Sequence, residues 1–139
     1  MNSIFFFLIS LVQKDDFCSC IPLVPIDDKQ YNEYNLIVKG KVVNISESQF
    51  ERSIYIKVDT YFKGKQKDST VVIKTPSQSG ECGIFPEVGE IWLMYAYTSE
   101  KAYRTNLCTR TKNMNPKTWN YRKEELKQDL EFLEAKEEE

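Results

Sequence analysis

A chain of 139 residues with 41% hydrophobic content is long enough for one domain with a core of its own. Its net charge of -2 offers nucleic acid no general attraction, and its five glycines form no phosphate-cradling cluster. Histidine is absent, which removes Ser-His-Asp and Cys-His nucleophilic machinery and every metal site that needs imidazole. Neither an enzyme nor a bound cofactor is expected.

The chain opens on an apolar run from Ile4 to Val12. The run is too short to span a bilayer and has the length of a signal-peptide core, although no Lys or Arg precedes it. Residues 1–17 are therefore expected to be a signal peptide and 18–139 the domain; an N-terminal core strand is the other reading of the run. Cysteine usage agrees with secretion, or with a periplasm if the source is bacterial, and no stable membrane insertion is expected. The cysteines are Cys18, Cys20, Cys82 and Cys108. A Cys18–Cys20 bridge would close a tiny strained ring. Two long-range pairings remain, 18–82 with 20–108 or 18–108 with 20–82. Either gives roughly 4 kcal/mol per bridge from loop-closure entropy, an upper value because the loops overlap. A structural zinc site is the competing reading, but Cys-x-Cys with two lone distant cysteines matches paired Cys-x-x-Cys knuckles poorly.

Strands follow in order. LIVKGKVVNI, 36–45, is the first, with Gly40 marking a bulge or a close backbone approach. IYIKVDTYF, 54–62, alternates, with Ile54, Ile56 and Val58 on one face. A turn over 62–69 leads to a short strand at 70–75, and loop chemistry fills 76–83 and 86–90. IWLMYAY, 91–97, is a continuous apolar run that reads as buried on both sides, and 101–108 pairs with it as a hairpin. The character then changes. Leu126, Leu130 and Leu133 recur at helical spacing, with Trp119 on the same face and Pro116 near the start. This predicts an amphipathic helix over about 117–136. Five strands and a helix make a mainly β fold, a small barrel with the C-terminal helix packed against it. Trp92 and Trp119 read as core residues, and Asn44-Ile45-Ser46 is a glycosylation sequon if the source is eukaryotic.

Several pieces together resemble the netrin-like domain, and within it the tissue inhibitors of metalloproteinases. Cys18-Ser19-Cys20 followed by Pro22 is similar to the mature start of that family. IVKGKVV, YFKG at 61–64, TPSQSGECGIFPEVGE at 75–90 and TNLC at 105–108 resemble its strands and cysteine-bearing loops in the same order. The match runs from Cys18 to about Arg110. It implies a five-stranded OB-fold-like barrel and the pairing Cys18–Cys82 with Cys20–Cys108. It also implies a secreted inhibitor of zinc metalloproteinases. Cys18 would become the mature N-terminus, and its α-amine and carbonyl would chelate the catalytic zinc of the target. An α-amine releases its proton at about pH 7.7–8.0, so metal binding at neutral pH costs little. Ser19 would point into the target's pocket, with Cys20, Ile21, Pro22, Gly80 and Glu81 as flanking protease contacts.

Two other readings accompany this one. The first is a secreted netrin-like module that binds a protein or glycan without inhibiting anything. The second is a nucleic-acid-binding barrel using Tyr55, Lys57, Tyr61, Lys63 and Lys65 for stacking and phosphate contacts. These five read more simply as a solvated strand face and a basic turn, so no nucleic-acid partner is expected. The expected partner is a zinc metalloproteinase or another extracellular protein.

Overall fold

The computed structural model describes residues 18–64, 68–118 and 121–138. The expected signal peptide, Lys65 and Trp119 lie outside these residues.

Five strands form a ring: β1 (Leu36–Glu47), β2 (Glu51–Lys63), β3 (Thr70–Pro76), β4 (Ile91–Ser99) and β5 (Ala102–Arg104). They run in the order β1-β2-β3-β5-β4, and β4 pairs back onto β1. The β3–β5 contact is parallel and the other pairings are antiparallel. A two-residue β6 (Lys112–Asn113) pairs antiparallel with β4 at Trp92–Leu93. The short helix α1 (Asp28–Asn32) precedes the ring, and α2 (Lys123–Glu137) closes the chain. The fold is thus mainly β, an OB-fold-like five-stranded barrel with a C-terminal helix packed on it.

The core explains the apolar runs. Side chains alternate across a strand, so a strand buried on one face alternates in polarity, and one buried on both is continuously apolar. Leu36, Val38, Trp92, Met94 and Ala96 point into the barrel with Ile54, Ile56 and Ile73. Their neighbours Ile37, Leu93 and Tyr95 face outward, where Leu126 and Leu133 of α2 and Ile26 cover them. The continuous run in β4 is therefore split between two cores, one inside the ring and one under the helix. Trp92 is a core residue, as read, and its indole N–H donates to Glu90 at 2.9 Å. Asn44 of the sequon is exposed on β1.

Gly40 marks a register shift between β1 and β2. A Cβ at this position would meet the Lys57 carbonyl and lie 2.6 Å from Ile56 Cγ2. Gly40→Ala is expected to destabilise the oxidised protein by at least about 1–3 kcal/mol, read as a lower urea midpoint. An unchanged midpoint would show that the two strands part there easily.

Two predicted boundaries are corrected. The helix starts at Lys123, not near 117, because Asn115 organises a turn of its own. Its side chain accepts from the Lys117 N–H at 2.9 Å, and its carbonyl accepts from the Thr118 hydroxyl at 2.8 Å. Such local bonds compete with helix formation. The strand expected over 101–108 stops at Arg104, because the residues beyond it turn on side-chain bonds. Asn106 accepts from the Cys108 N–H at 2.8 Å, and the hydroxyls of Thr105, Thr109 and Thr111 cluster at 2.9 Å.

The helix docks through a buried charge. Arg110 and Asp129 are both fully buried and meet at 2.7 and 3.1 Å, while Tyr95 and Lys112 donate to the same carboxylate at 2.7 and 2.8 Å. Burial, then the neighbouring carboxylate, pushes the Tyr95 phenol up.

Candidate functional site

From Cys18 to Pro25 the chain has no regular secondary structure, and every residue after half-buried Cys18 is exposed. Ordering such a stretch costs about 1–2 kcal/mol of backbone entropy per residue. Its few contacts would not offset that cost without fixed anchors. Covalent bonds supply them. Cys18 is bridged to Cys82 and Cys20 to Cys108, with Cα separations of 5.0 and 5.2 Å. Of the two long-range pairings that spacing allows, this is the one the resemblance implied. The bridges touch: Cys108 Sγ lies 3.8 Å from Cys18 Sγ and 3.9 Å from Cys82 Sγ.

Each partner cysteine sits on a loop that is fixed independently. Cys82 ends a single 3-10 turn (Ser79–Glu81) and takes the left-handed conformation with φ 69°. Behind it, the Ile84 N–H reaches the Thr75 hydroxyl at 3.2 Å. Arg52 donates to the Ile84 carbonyl at 2.9 Å and its guanidinium lies 4.3 Å above the Phe85 ring. Cys108 is held by the Asn106 turn and the threonine hydroxyls already described. The two loops are joined by the Leu107 N–H, which donates to the Cys82 carbonyl at 2.7 Å. A third anchor is Arg110, between β5 and β6 and held by Asp129 of the helix: it donates to the Val24 carbonyl at 2.7 Å, and Ile26 is buried just beyond.

The predicted contact residues separate as follows. Cys18, Ser19 and Cys20 lie at the paired bridges, and Gly80 and Glu81 are exposed on the turn directly before Cys82. The Cys18–Cys82 bridge therefore joins the first group to the second. Ile21 and Pro22 continue past the Cys20–Cys108 bridge into solvent, with Ile21 86% exposed. Leu107 is half-exposed beside Cys108 and was not among the predicted residues; its place next to a bridged cysteine was the available signal. Arg110 was missed as well. The rim presents exposed backbone, a serine hydroxyl and apolar side chains on a covalently fixed segment.

The sulfurs of Cys18, Cys82 and Cys108 lie within 4.8 Å of one another. In the bridged state they are disulfide sulfurs, whereas the thiolate is the form that ligates metal. Among the described residues no helix is long and apolar enough to cross a membrane. No protein-family model matches the chain, and no curated protein matches it.

Removing one bridge while keeping the other isolates its contribution. The Cys20→Ser/Cys108→Ser double variant is expected to lose about 2–5 kcal/mol in equilibrium unfolding under oxidising conditions. A loss below about 1 kcal/mol would mean that Cys18–Cys82 and Arg110 already fix the segment.

Proposed function

We propose that this chain is a secreted, minimal inhibitor of zinc metalloproteinases of the netrin-like kind, acting through Cys18 as the mature N-terminal residue. The observation that carries the reading is an exposed segment, Ser19–Pro22, following half-buried Cys18 and fastened by two touching disulfides next to the Gly80–Glu81 turn. An inhibitor that must enter a cleft gains affinity when its contact segment is ordered before binding. An exposed Ile21 on such a segment is apolar surface held out for a partner.

The chemistry is ligand replacement at the target's metal. A catalytic zinc keeps one position for water, and a free Cys18 amine with its own carbonyl is a bidentate group able to take that place. Ser19 follows with a short polar side chain that a narrow pocket can admit. A peptide bond to Phe17 would turn the amine into an amide without a usable lone pair, so cleavage directly before Cys18 is part of the proposal. The intact mass of the unreduced protein from its native source tests it. A chain that begins at Cys18 and is four protons light supports the proposal; one that retains earlier residues overturns chelation.

The second reading, a netrin-like module binding a protein or glycan, is favoured by a different observation. A groove of about 550 Å³ on the barrel wall is lined by Lys39, Lys41, Lys57, Val58, Asp59 and Ile91, among others. Lys41 and Lys57 stand directly opposite each other on β1 and β2. Like charges so placed repel each other, and among the described residues the groove's carboxylate, Asp59, is paired with Lys39 and not with either of them. Retention on a sulfated-glycan column that falls steeply with salt, and is lost in Lys41→Gln/Lys57→Gln, would favour this reading.

A further inference from the structure

The two bridges are packed as one cluster. Across them, the unbonded sulfur pairs Cys18–Cys20, Cys18–Cys108 and Cys82–Cys108 lie 3.9, 3.8 and 3.9 Å apart. Zinc held by four thiolates at about 2.3 Å in a tetrahedron sets its sulfurs about 3.8 Å apart on every edge. Three edges of the cysteine cluster thus already have the length that a tetrathiolate zinc site requires. Two further edges are the disulfide bonds themselves. Opening each one lets its sulfurs separate by side-chain rotation, with the Cα atoms starting 5.0 and 5.2 Å apart. The sixth edge, Cys20–Cys82, is longer than 4.8 Å, because only the sulfurs of Cys18, Cys82 and Cys108 lie mutually within that distance. The exposed Cys20 side chain must swing inward to complete the tetrahedron. Cys20 is exposed and the other three cysteines are half-buried, so a reductant and an ion can both reach the cluster.

We propose that Cys18, Cys20, Cys82 and Cys108 have a second chemical state, a tetrathiolate zinc centre that joins the same three chain segments once the disulfides are reduced. The balance is simple. Two equivalents of a dithiol reductant each deliver two electrons and two protons, opening one bridge apiece to two thiols and leaving as cyclic disulfides. Zinc then displaces the four thiol protons and binds four thiolates, with no change in its own oxidation state. The bonds that hold Cys18–Pro22 to the barrel pass from sulfur–sulfur to sulfur–metal, and the folded arrangement survives reduction. This proposal is independent of the inhibitory reading, because it concerns the four side chains and not the Cys18 amine.

The test uses the oxidised full-length chain, reduced anaerobically with a water-soluble trialkylphosphine. The phosphine takes its oxygen from water as each bridge opens, and it does not compete for metal as a thiol would. Cobalt(II) is then titrated in, followed by zinc. Expected are one cobalt per chain, thiolate-to-cobalt charge transfer with the intense visible bands of tetrahedral cobalt, and displacement by zinc. Zinc should also raise the melting temperature of the reduced chain, since metal affinity at such a site is folding free energy. Each single Cys→Ser variant should weaken cobalt binding by about tenfold or more, as a lost ligand costs at least what a lost supporting contact does. Three results would overturn the proposal. One is the absence of tetrahedral bands in the reduced chain. Another is an identical titration in denaturant, which would place the binding in the unfolded chain. The last is full affinity in Cys20→Ser.

Discussion

Asp129→Ala is expected to cost the fold about 3–5 kcal/mol, because it leaves the fully buried Arg110 guanidinium without its counter-charge. The loss should appear as a fall in the urea midpoint with little change in slope. Tyr95 and Lys112 lose their acceptor in the same substitution. Replacing the pair together, Arg110→Met with Asp129→Leu, should recover only the part that belongs to the uncompensated guanidinium, since Tyr95 and Lys112 remain without their acceptor. A single variant within about 1 kcal/mol of the parent would show that the helix is held by Leu126 and Leu133 alone. The same carboxylate makes stability depend on acid. Burial taken by itself would raise the Asp129 pKa, but hydrogen bonds from Arg110, Lys112 and Tyr95 outweigh it and hold the group below the ordinary carboxylate range. In the unfolded chain it titrates at about 3.9, so below that pH the unfolded state binds more protons. The contribution is therefore complete above about pH 4 and is lost as pH falls through the lower folded value. Asp129→Asn should flatten the acid limb of a melting-temperature profile; an unchanged limb would assign acid sensitivity to other carboxylates.

Adding one alanine before Cys18 is expected to abolish inhibition of a susceptible zinc metalloproteinase, weakening it by at least about a hundredfold, or about 2.8 kcal/mol. The fold should be indifferent, because the bridges, Arg110 and the barrel are untouched. A matched pair of proteins, beginning at Cys18 and at the added alanine, can therefore be compared at equal melting temperature. Equal inhibition by both would sink chelation and leave surface contact as the mode of binding. Inhibition by neither would favour the module reading, with the lysine-lined groove as its surface.

Legibility in the sequence followed periodicity. The strands were readable because Ile54 and Ile56 alternate with polar neighbours, and the doubly buried Trp92–Ala96 because apolar residues run without a break. The helix was readable from Leu126, Leu130 and Leu133, but its start was not. The turn at Asn115 is made by side-chain-to-backbone bonds that leave no periodic trace. Asp129 falls three residues after Leu126, within the apolar stripe, and could have been flagged as a buried charge from that position alone. Its partner Arg110 could not, since nothing local separates it from a surface arginine. The helix α1 went unread because five residues capped by Asp27 carry too few positions to show a period. The cysteine-bearing rim was legible in part: spacing excluded one pairing and left two, and a resemblance in the order of several segments chose between them. The close contact of the two bridges belongs to three dimensions alone.

The anchors of Cys18–Pro22 all come later in the chain, at Cys82, Cys108 and Arg110, the last held in turn by Asp129. Synthesis delivers the N-terminal side first. Residues 18–22 must therefore wait, unseated, until nearly all the rest has been made. Their spacing suits that wait: two cysteines one residue apart cannot easily close on each other. In an oxidising environment the nascent segment holds its two thiols open until the proper partners arrive.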